Sequence, residues 1–234
     1  MDITDLVRCA EDKVYFFEKY CKIVCPNNGL VDITLYEYQK DIINESHIQA
    51  ETSRQVGFTT LAVLNAFHDI IFKSDQTIAF VAPTYREASH FRDLLLFLYS
   101  NTTFPKMYLP MIKTNNKHST EFDNGNRILY TPMSCSHIRG WSINSMYIQE
   151  VDYTTEQNYE EYMHSIAPIM LSIKDTKFWI WSCVQNGNIK KELYSKLKRI
   201  KLPFWVTDNK SYLRYKELVR ILGEEQAMIE LGIT

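Results

Sequence analysis

Short apolar runs of strand type recur along this chain with helical stretches between them, and that alternation restricts the fold more than any other feature. The segment from Thr77 to Ala82 (TIAFVA), continuously apolar from Ile78, is a short run of strand type, and a helical stretch follows from Tyr85 to Tyr99. Ser145 to Gln149 (SMYIQ), Lys177 to Ser182 (KFWIWS) and Pro203 to Thr207 (PFWVT) are further strand candidates. Glu156 to Ile173 and Asn188 to Lys198 carry helical periodicity, with Pro168 placed to bend or interrupt the first. Strands apolar on both faces suit a mainly parallel sheet covered by helices, so the expected class is α/β. In such sheets ligands bind beyond the carboxyl ends of the strands.

The 234 residues, 45% hydrophobic and 13% aromatic, suffice for a full core. No repeat or Pro/Gly/Ser-rich linker divides them, so one domain is expected, with a small helical appendage over about residues 1–44 and a core over 45–234. No apolar run approaches the ~20 residues of a membrane span, and the first residues (MDITDLVRCAED) lack a signal pattern. A cytosolic protein without a membrane partner is expected. Five cysteines, with no Cys or His pairs at zinc spacing, are read as reduced and structural. A net charge of −2 argues against a nucleic-acid binder that works by phosphate neutralisation over its whole surface. The most basic stretch, Lys190, Lys191, Lys196, Lys198, Arg199 and Lys201, reads either as a local phosphate track or as the solvated face of a helix.

The segment HIQAETSRQVGFTTLAVLNAFHDII combines a candidate strand, a polar loop around Gly57 and a helix with Leu61, Leu64, Phe67 and Ile71 on one face. Gly57-Phe58-Thr59-Thr60 stands where a phosphate-binding loop carries G-K-[ST], with Phe58 in the lysine position. Alone, this is a weak signal, and a strand–turn–helix junction without a ligand is the better reading of it.

Read with its neighbours, SRQVGFTT resembles the S-R-Q-x-G-K-T-T loop of tailed-bacteriophage large terminases. LYEYQKDII resembles that family's adenine-reading Tyr-Gln motif, and FVAPTYREASHF resembles the strand and helix after the phosphate loop. EFDNGNRILYTP followed by IRGWSINSMYIQEVDY is similar to the run of D-N-G-S, R-G and a strand ending in Asp-Glu. WIWSCVQNGNIKKELYSKL resembles the coupling segment, and LGEEQAMIEL resembles the stretch that closes the ATPase domain. The resemblance covers roughly residues 15 to 234, and the order of the motifs carries it.

That resemblance implies a P-loop NTPase fold of the ASCE type, ATP and magnesium as ligands, and a place in a viral DNA-packaging motor. It implies Glu150 as the carboxylate that polarises the attacking water and Arg54 as a cation on the γ-phosphate. Tyr38 and Gln39 would read adenine, Gln55, Gly57, Phe58, Thr59 and Thr60 would receive phosphates, and Thr59 and Gln149 would face magnesium. Arg139, Ser182 and Asn186 would couple hydrolysis to movement. The implied partners are double-stranded DNA, a viral portal, a small terminase subunit and further copies in a ring, in the host-cell cytoplasm and transiently at the procapsid portal.

Two departures stand out. Phe58 replaces the loop lysine and Gln149 replaces the metal-binding aspartate, so the site loses one charge of each sign and weak or lost hydrolysis is expected. The family's nuclease domain would follow the segment that ends here, and no cluster of metal-binding acids appears, so DNA cleavage is not expected. Three readings stay open: a slow packaging ATPase, a terminase-like module that binds DNA, portal or an active subunit without hydrolysis, and a helicase-like protein. A helicase needs a second motor domain, which this length does not hold.

Overall fold

A computed structural model of the chain describes residues 1–25, 28–133, 138, 140–150, 166, 176–183, 197–203, 206–207 and 211–230. Two short helices open it, α1 (Ile3–Glu11) and α2 (Lys13–Tyr20). Asp12 separates them: extended there, it ends α1 and caps α2 by accepting the Tyr15 N–H. An antiparallel hairpin follows, β1 (Lys22–Cys25) with β2 (Gly29–Asp32), and then α3 (Glu37–Ile42). The stretch expected as a helical appendage also contains a two-stranded ribbon, for which four-residue strands give too little periodicity to detect.

The remaining elements are β3 (His47–Thr52), α4 (Phe58–Phe72), β4 (Thr77–Ala82), α5 (Tyr85–Asn101), β5 (Ile112–Asn115), β6 (Ser119–Phe122) and β7 (Arg127–Pro132). They continue with β8 (Ser145–Gln149), β9 (Lys177–Cys183), β10 (Lys198–Leu202), α6 (Ser211–Leu222) and α7 (Glu224–Glu230). β3 to β10 form one sheet in the order β10-β3-β9-β8-β4-β7-β6-β5. Every pair from β10 to β7 is parallel, and β6 and β5 add an antiparallel edge. This is the α/β sheet the alternation predicts. β3 and β8 are both internal, with β9 between them.

The central strands are apolar on both faces because both faces are covered. Along β4, Ile78, Phe80 and Ala82 join the cluster under α4 and α5, while Ala79 and Val81 join a second cluster with Met146, Ile148 and Ile180. Phe80 stacks on Phe91 at 4.6 Å and on Tyr147 at 5.0 Å. Thr84 and Glu87 close a capping box that starts α5 immediately after the Pro83 turn.

The N-terminal helices share the core of α4. Phe16 packs its ring against Phe67, His68, Phe72 and Phe104 at 5.2–6.2 Å. Beside this aromatic contact runs a polar seam. The Lys13 and Lys177 ammoniums lie 2.5 and 3.0 Å from Asn65 Oδ1, and the buried Asp69 pairs with Lys73 at 2.9 Å and Lys177 at 3.7 Å. Burial and the neighbouring Lys177 pull the Lys13 ammonium down to about 7. His68 Nε2–H donates to the Cys9 carbonyl at 2.9 Å, and burial holds this imidazole neutral, pushed down to about 4.

Two expectations need correction. The strand expected at Pro203 to Thr207 lies earlier, at Lys198–Leu202, where it pairs with β3 and buries Leu202 while Ile200 packs partly against the core. Lys198, Arg199 and Lys201 accordingly stand on an edge strand, not a helix, and charges there oppose edge-to-edge pairing. Lys190, Lys191 and Lys196 lie outside the described residues, as do residues 188–196 of the stretch expected to be helical to Lys198, which itself falls in β10, and all of 156–173 except the helical Ile166. No helix among the described residues is long and apolar enough to cross a membrane, and Cys9, Cys21, Cys25 and Cys183 are free thiols.

Candidate nucleotide cleft at the ends of β3, β8 and β9

The loop from Ser53 to Gly57 leaves the carboxyl end of β3 and enters α4 through two left-handed residues, Gln55 (φ 62°) and Gly57 (φ 84°). Glycine suits the second because a Cβ there would be strained and only 3.1 Å from Gln39 Nε2. The Tyr38 hydroxyl donates to the Val56 carbonyl at 2.6 Å, and the Gln39 amide donates to the Gly57 carbonyl at 3.2 Å. Gln39 Oε1 accepts the Tyr36 N–H at 3.0 Å, and the Tyr36 and Tyr38 rings stack at 6.3 Å. α3 thus braces the loop through its two last backbone carbonyls. Arg54 and Gln55 are exposed at the loop's tip, and Ser53 is buried, its N–H donating to the Leu202 carbonyl at 2.8 Å.

At the start of α4 the side chains divide. Phe58 is 2% exposed, its ring 5.6 Å from that of Trp179 and 5.2 Å from that of Trp181, so the residue in the lysine position packs into the core beneath β9. Its backbone N–H still belongs to the first helical turn, whose amides have no partner within the helix. Thr59 is half-buried and places Oγ1 3.5 Å from Gln149 Oε1 at the end of β8, and Thr60 is half-buried beside it.

Glu150 follows with φ 55°, an outlier for a non-glycine residue. Its N–H donates to the Trp181 carbonyl at 2.7 Å, which extends the β8–β9 pairing by one bond. Its carboxylate turns to the end of β9: Oε2 accepts from the Cys183 N–H at 3.1 Å and from the Ser182 hydroxyl at 3.3 Å, and the Cys183 thiol lies 3.3 Å from Oε1. Burial and the adjacent carboxylate push that thiol up to about 12, so it stays protonated and can donate.

The structure therefore groups Gln149, Glu150 and Ser182, at the carboxyl ends of neighbouring strands, with Thr59 at the start of α4, next to the loop that Tyr38 and Gln39 support. Arg139 and Asn186 lie outside the described residues, as do Cys135 and His137. Cys183, Trp179 and Trp181 were not singled out in the sequence. Their signal was the register: once Gln149 pairs with Trp181, the next two residues of β9 must flank Glu150. For magnesium, Thr59 and Gln149 offer a hydroxyl and an amide oxygen, both neutral, while the Glu150 carboxylate is engaged by β9. That donor set suits a hard divalent cation poorly, and among the described residues no group of three or more His, Cys, Asp or Glu forms a metal site.

No protein-family model matches the sequence. In three dimensions the chain is similar to the ATPase domain of the large terminase of Thermus phage P74-26, with a TM-score of 0.63 and 14% identity over 86% of this chain and 93% of that domain. It is similar to the large terminase of bacteriophage HK97, with a TM-score of 0.66 and 12% identity over 95% of this chain and 54% of that one. It is also similar to the large terminase of a thermophilic bacteriophage in complex with ATP-gamma-S, with a TM-score of 0.57 and 12% identity over 80% and 49%. The chain spans nearly all of the isolated ATPase domain and about half the length of the larger terminases. At such identities the likeness concerns architecture, and the architecture of this chain is that of a phage large-terminase ATPase domain.

Proposed function

We propose that this chain is the motor-type ATPase domain of a viral DNA-packaging machine whose nucleotide cleft keeps its shape and has lost charge, so that ATP turns over near background. The observation that carries this is the state of the lysine and aspartate positions within an otherwise assembled cleft. The Phe58 ring is built into the core against Trp179 and Trp181, and Gln149 meets Thr59 with a neutral amide. ATP would meet the loop amides and the α4 N-terminus, with Arg54 the nearest loop cation and Tyr38 and Gln39 toward the adenine. Glu150 would have to leave Ser182 and Cys183 to polarise a water, and Ser182 would then sense that release as part of the coupling segment. Arg139 and Asn186 are assigned to the same coupling step by the motif resemblance alone.

Lys198, Arg199 and Lys201 on the β10 edge, and Lys190 and Lys191 of the same basic stretch of sequence, would supply a local contact to duplex DNA. The portal, a small subunit and further copies in a ring remain the proposed partners, and the host cytoplasm and procapsid portal the proposed location.

The test is ATP binding by calorimetry together with phosphate release, on the wild-type chain, on Glu150→Gln and on Gln149→Asp. Binding with turnover near background, raised by Gln149→Asp and not by Glu150→Gln, supports the reading. Fast turnover by the unmodified chain that survives Glu150→Gln overturns it. Binding with no turnover in any variant favours the non-hydrolysing module, which the engaged carboxylate of Glu150 also fits.

A further inference from the structure

A cavity of about 460 Å³ opens on the antiparallel side of the sheet, between β7, β6 and the start of α5. It lies within the roughly 300–1,000 Å³ range of small-ligand pockets. β7 is the fourth neighbour of β3 in the sheet, so at ~4.8 Å per strand the cavity stands roughly 19 Å from the phosphate loop. Nothing in the proposed ATP cycle uses it.

Its walls are aromatic with polar edges. Tyr85 and His118 meet edge to face at 5.0 Å, and Trp141, 37% exposed, carries the Arg127 guanidinium 4.7 Å from its ring centroid. Arg127 Nε lies 2.9 Å from Glu121 Oε1, and Ser119 and Thr131 add hydroxyls. A large exposed indole beside an imidazole and a phenol offers flat faces to a planar ring. The Arg127–Glu121 pair offers donors and acceptors to that ring's edge, with no net charge. The same pair argues against a cationic guest, because the carboxylate is already neutralised and the guanidinium occupies one face of Trp141.

Two exposed cations are chain neighbours of lining residues: Arg86 follows Tyr85 on α5, and Lys117 precedes His118 in the β5–β6 turn. Flat stacking faces with cations close by in the chain suit unpaired nucleic acid, since every base has a π-face and each is linked to phosphates. A base inside a duplex is stacked on both sides and cannot enter.

We propose that this cavity takes one nucleobase of an unpaired strand, stacked on Trp141 beside Tyr85 and His118, with Arg86 and Lys117 on the adjoining phosphates. The proposal does not depend on ATP binding or turnover. The shared chemistry of a free nucleotide is distinguished from that of a strand by the phosphate contacts.

The test is fluorescence anisotropy of a labelled single-stranded 12-nucleotide DNA, with competition by its duplex form, by an abasic strand of equal length and by a mononucleotide. The single strand is expected to bind more tightly than the duplex, the abasic strand and the mononucleotide. Trp141→Ala should weaken strand binding roughly ten- to hundredfold, the scale of one lost base–aromatic stack, while Trp141→Phe costs no more than about threefold. His118→Ala should weaken it in the same direction, and Trp141→Ala should leave abasic-strand binding unchanged. Arg86→Gln with Lys117→Gln should reduce the salt dependence of the wild-type complex. Equal affinity for abasic and base-bearing strands, an unchanged Trp141→Ala variant, or a mononucleotide that competes as well as the strand would each overturn the proposal.

Discussion

Replacing Phe58 with lysine, the residue that phosphate loops carry at this position, is the sharpest test of the proposed loss of charge from the cleft. The ring is 2% exposed and contacts Trp179 and Trp181 at 5.6 and 5.2 Å. Each aromatic pair contributes about 0.5–1.5 kcal/mol beyond burial, so losing both costs about 1–3 kcal/mol. The lysine stem refills part of the space, and its ammonium must either desolvate at a cost of several kcal/mol or run up along the stem to the loop. The second route costs less, and a net destabilisation of about 3 kcal/mol is expected, against about 1 kcal/mol for Phe58→Leu, which keeps an apolar side chain of smaller volume. In urea, with an unfolding slope near ~3 kcal/mol per molar, that is a midpoint shift of roughly 1 M, followed by tryptophan fluorescence. If the ammonium reaches the loop, ATP at about one hundred times its dissociation constant should return about 2.7 kcal/mol to Phe58→Lys, and less to Phe58→Leu. Combined with Gln149→Asp, the lysine should then produce measurable hydrolysis that Glu150→Gln abolishes. A Phe58→Lys protein within about 0.5 kcal/mol of wild type without nucleotide would refute the reasoning, because the ring would then not be a packed part of the core.

Gly57→Ala should cost about 1–2 kcal/mol from its left-handed φ of 84°, plus displacement of the Gln39 amide 3.1 Å away, seen as a lower midpoint and weaker ATP binding. Gln39→Ala, which frees the Gly57 carbonyl and the Tyr36 N–H, should lower stability by about 1–2 kcal/mol and speed hydrogen exchange at the start of α4. The seam of Lys13, Lys177, Asp69 and Lys73 makes stability depend on pH. Lys13 titrates near 7 when folded and near 10.5 when unfolded, so its share of stability is fully present above about 10.5 and is lost as pH falls from there through about 7. Thermal melts should rise between pH 7 and 9, and Lys13→Met should flatten that rise; a wild-type melting temperature that falls over this interval would contradict it. His68, pushed down to about 4 by burial, should add a second loss below pH about 6 that His68→Gln removes.

Much of this protein is local enough to read from the chain. TIAFVA, SMYIQ and KFWIWS are strands because their apolar residues have no polar alternation, and a strand buried on both faces needs none. The helix from Tyr85 begins where Thr84 and Glu87 can cap it, and the Gly57 turn sits where a strand must hand over to α4. The resemblance implies that the strand before Thr52 and Ser145–Gln149 are both central with one strand between them, and the structure has them so, with β9 as that strand. Tertiary structure decided which way each side chain faces and what it meets. Phe58 reads from the chain as a missing lysine, and only the packing of α4 on β9 makes it a core ring against two tryptophans. Cys183 acquires its contact with Glu150 from register, which depends on residues more than thirty positions apart. The last parallel strand fell at KRIKL and not at PFWVT because an edge strand buries one side only, and there pairing to β3 outweighs hydrophobicity. Local pattern records propensity and periodicity, whereas register, facing and pairing are energies of contact between distant segments and exist only once the chain is folded.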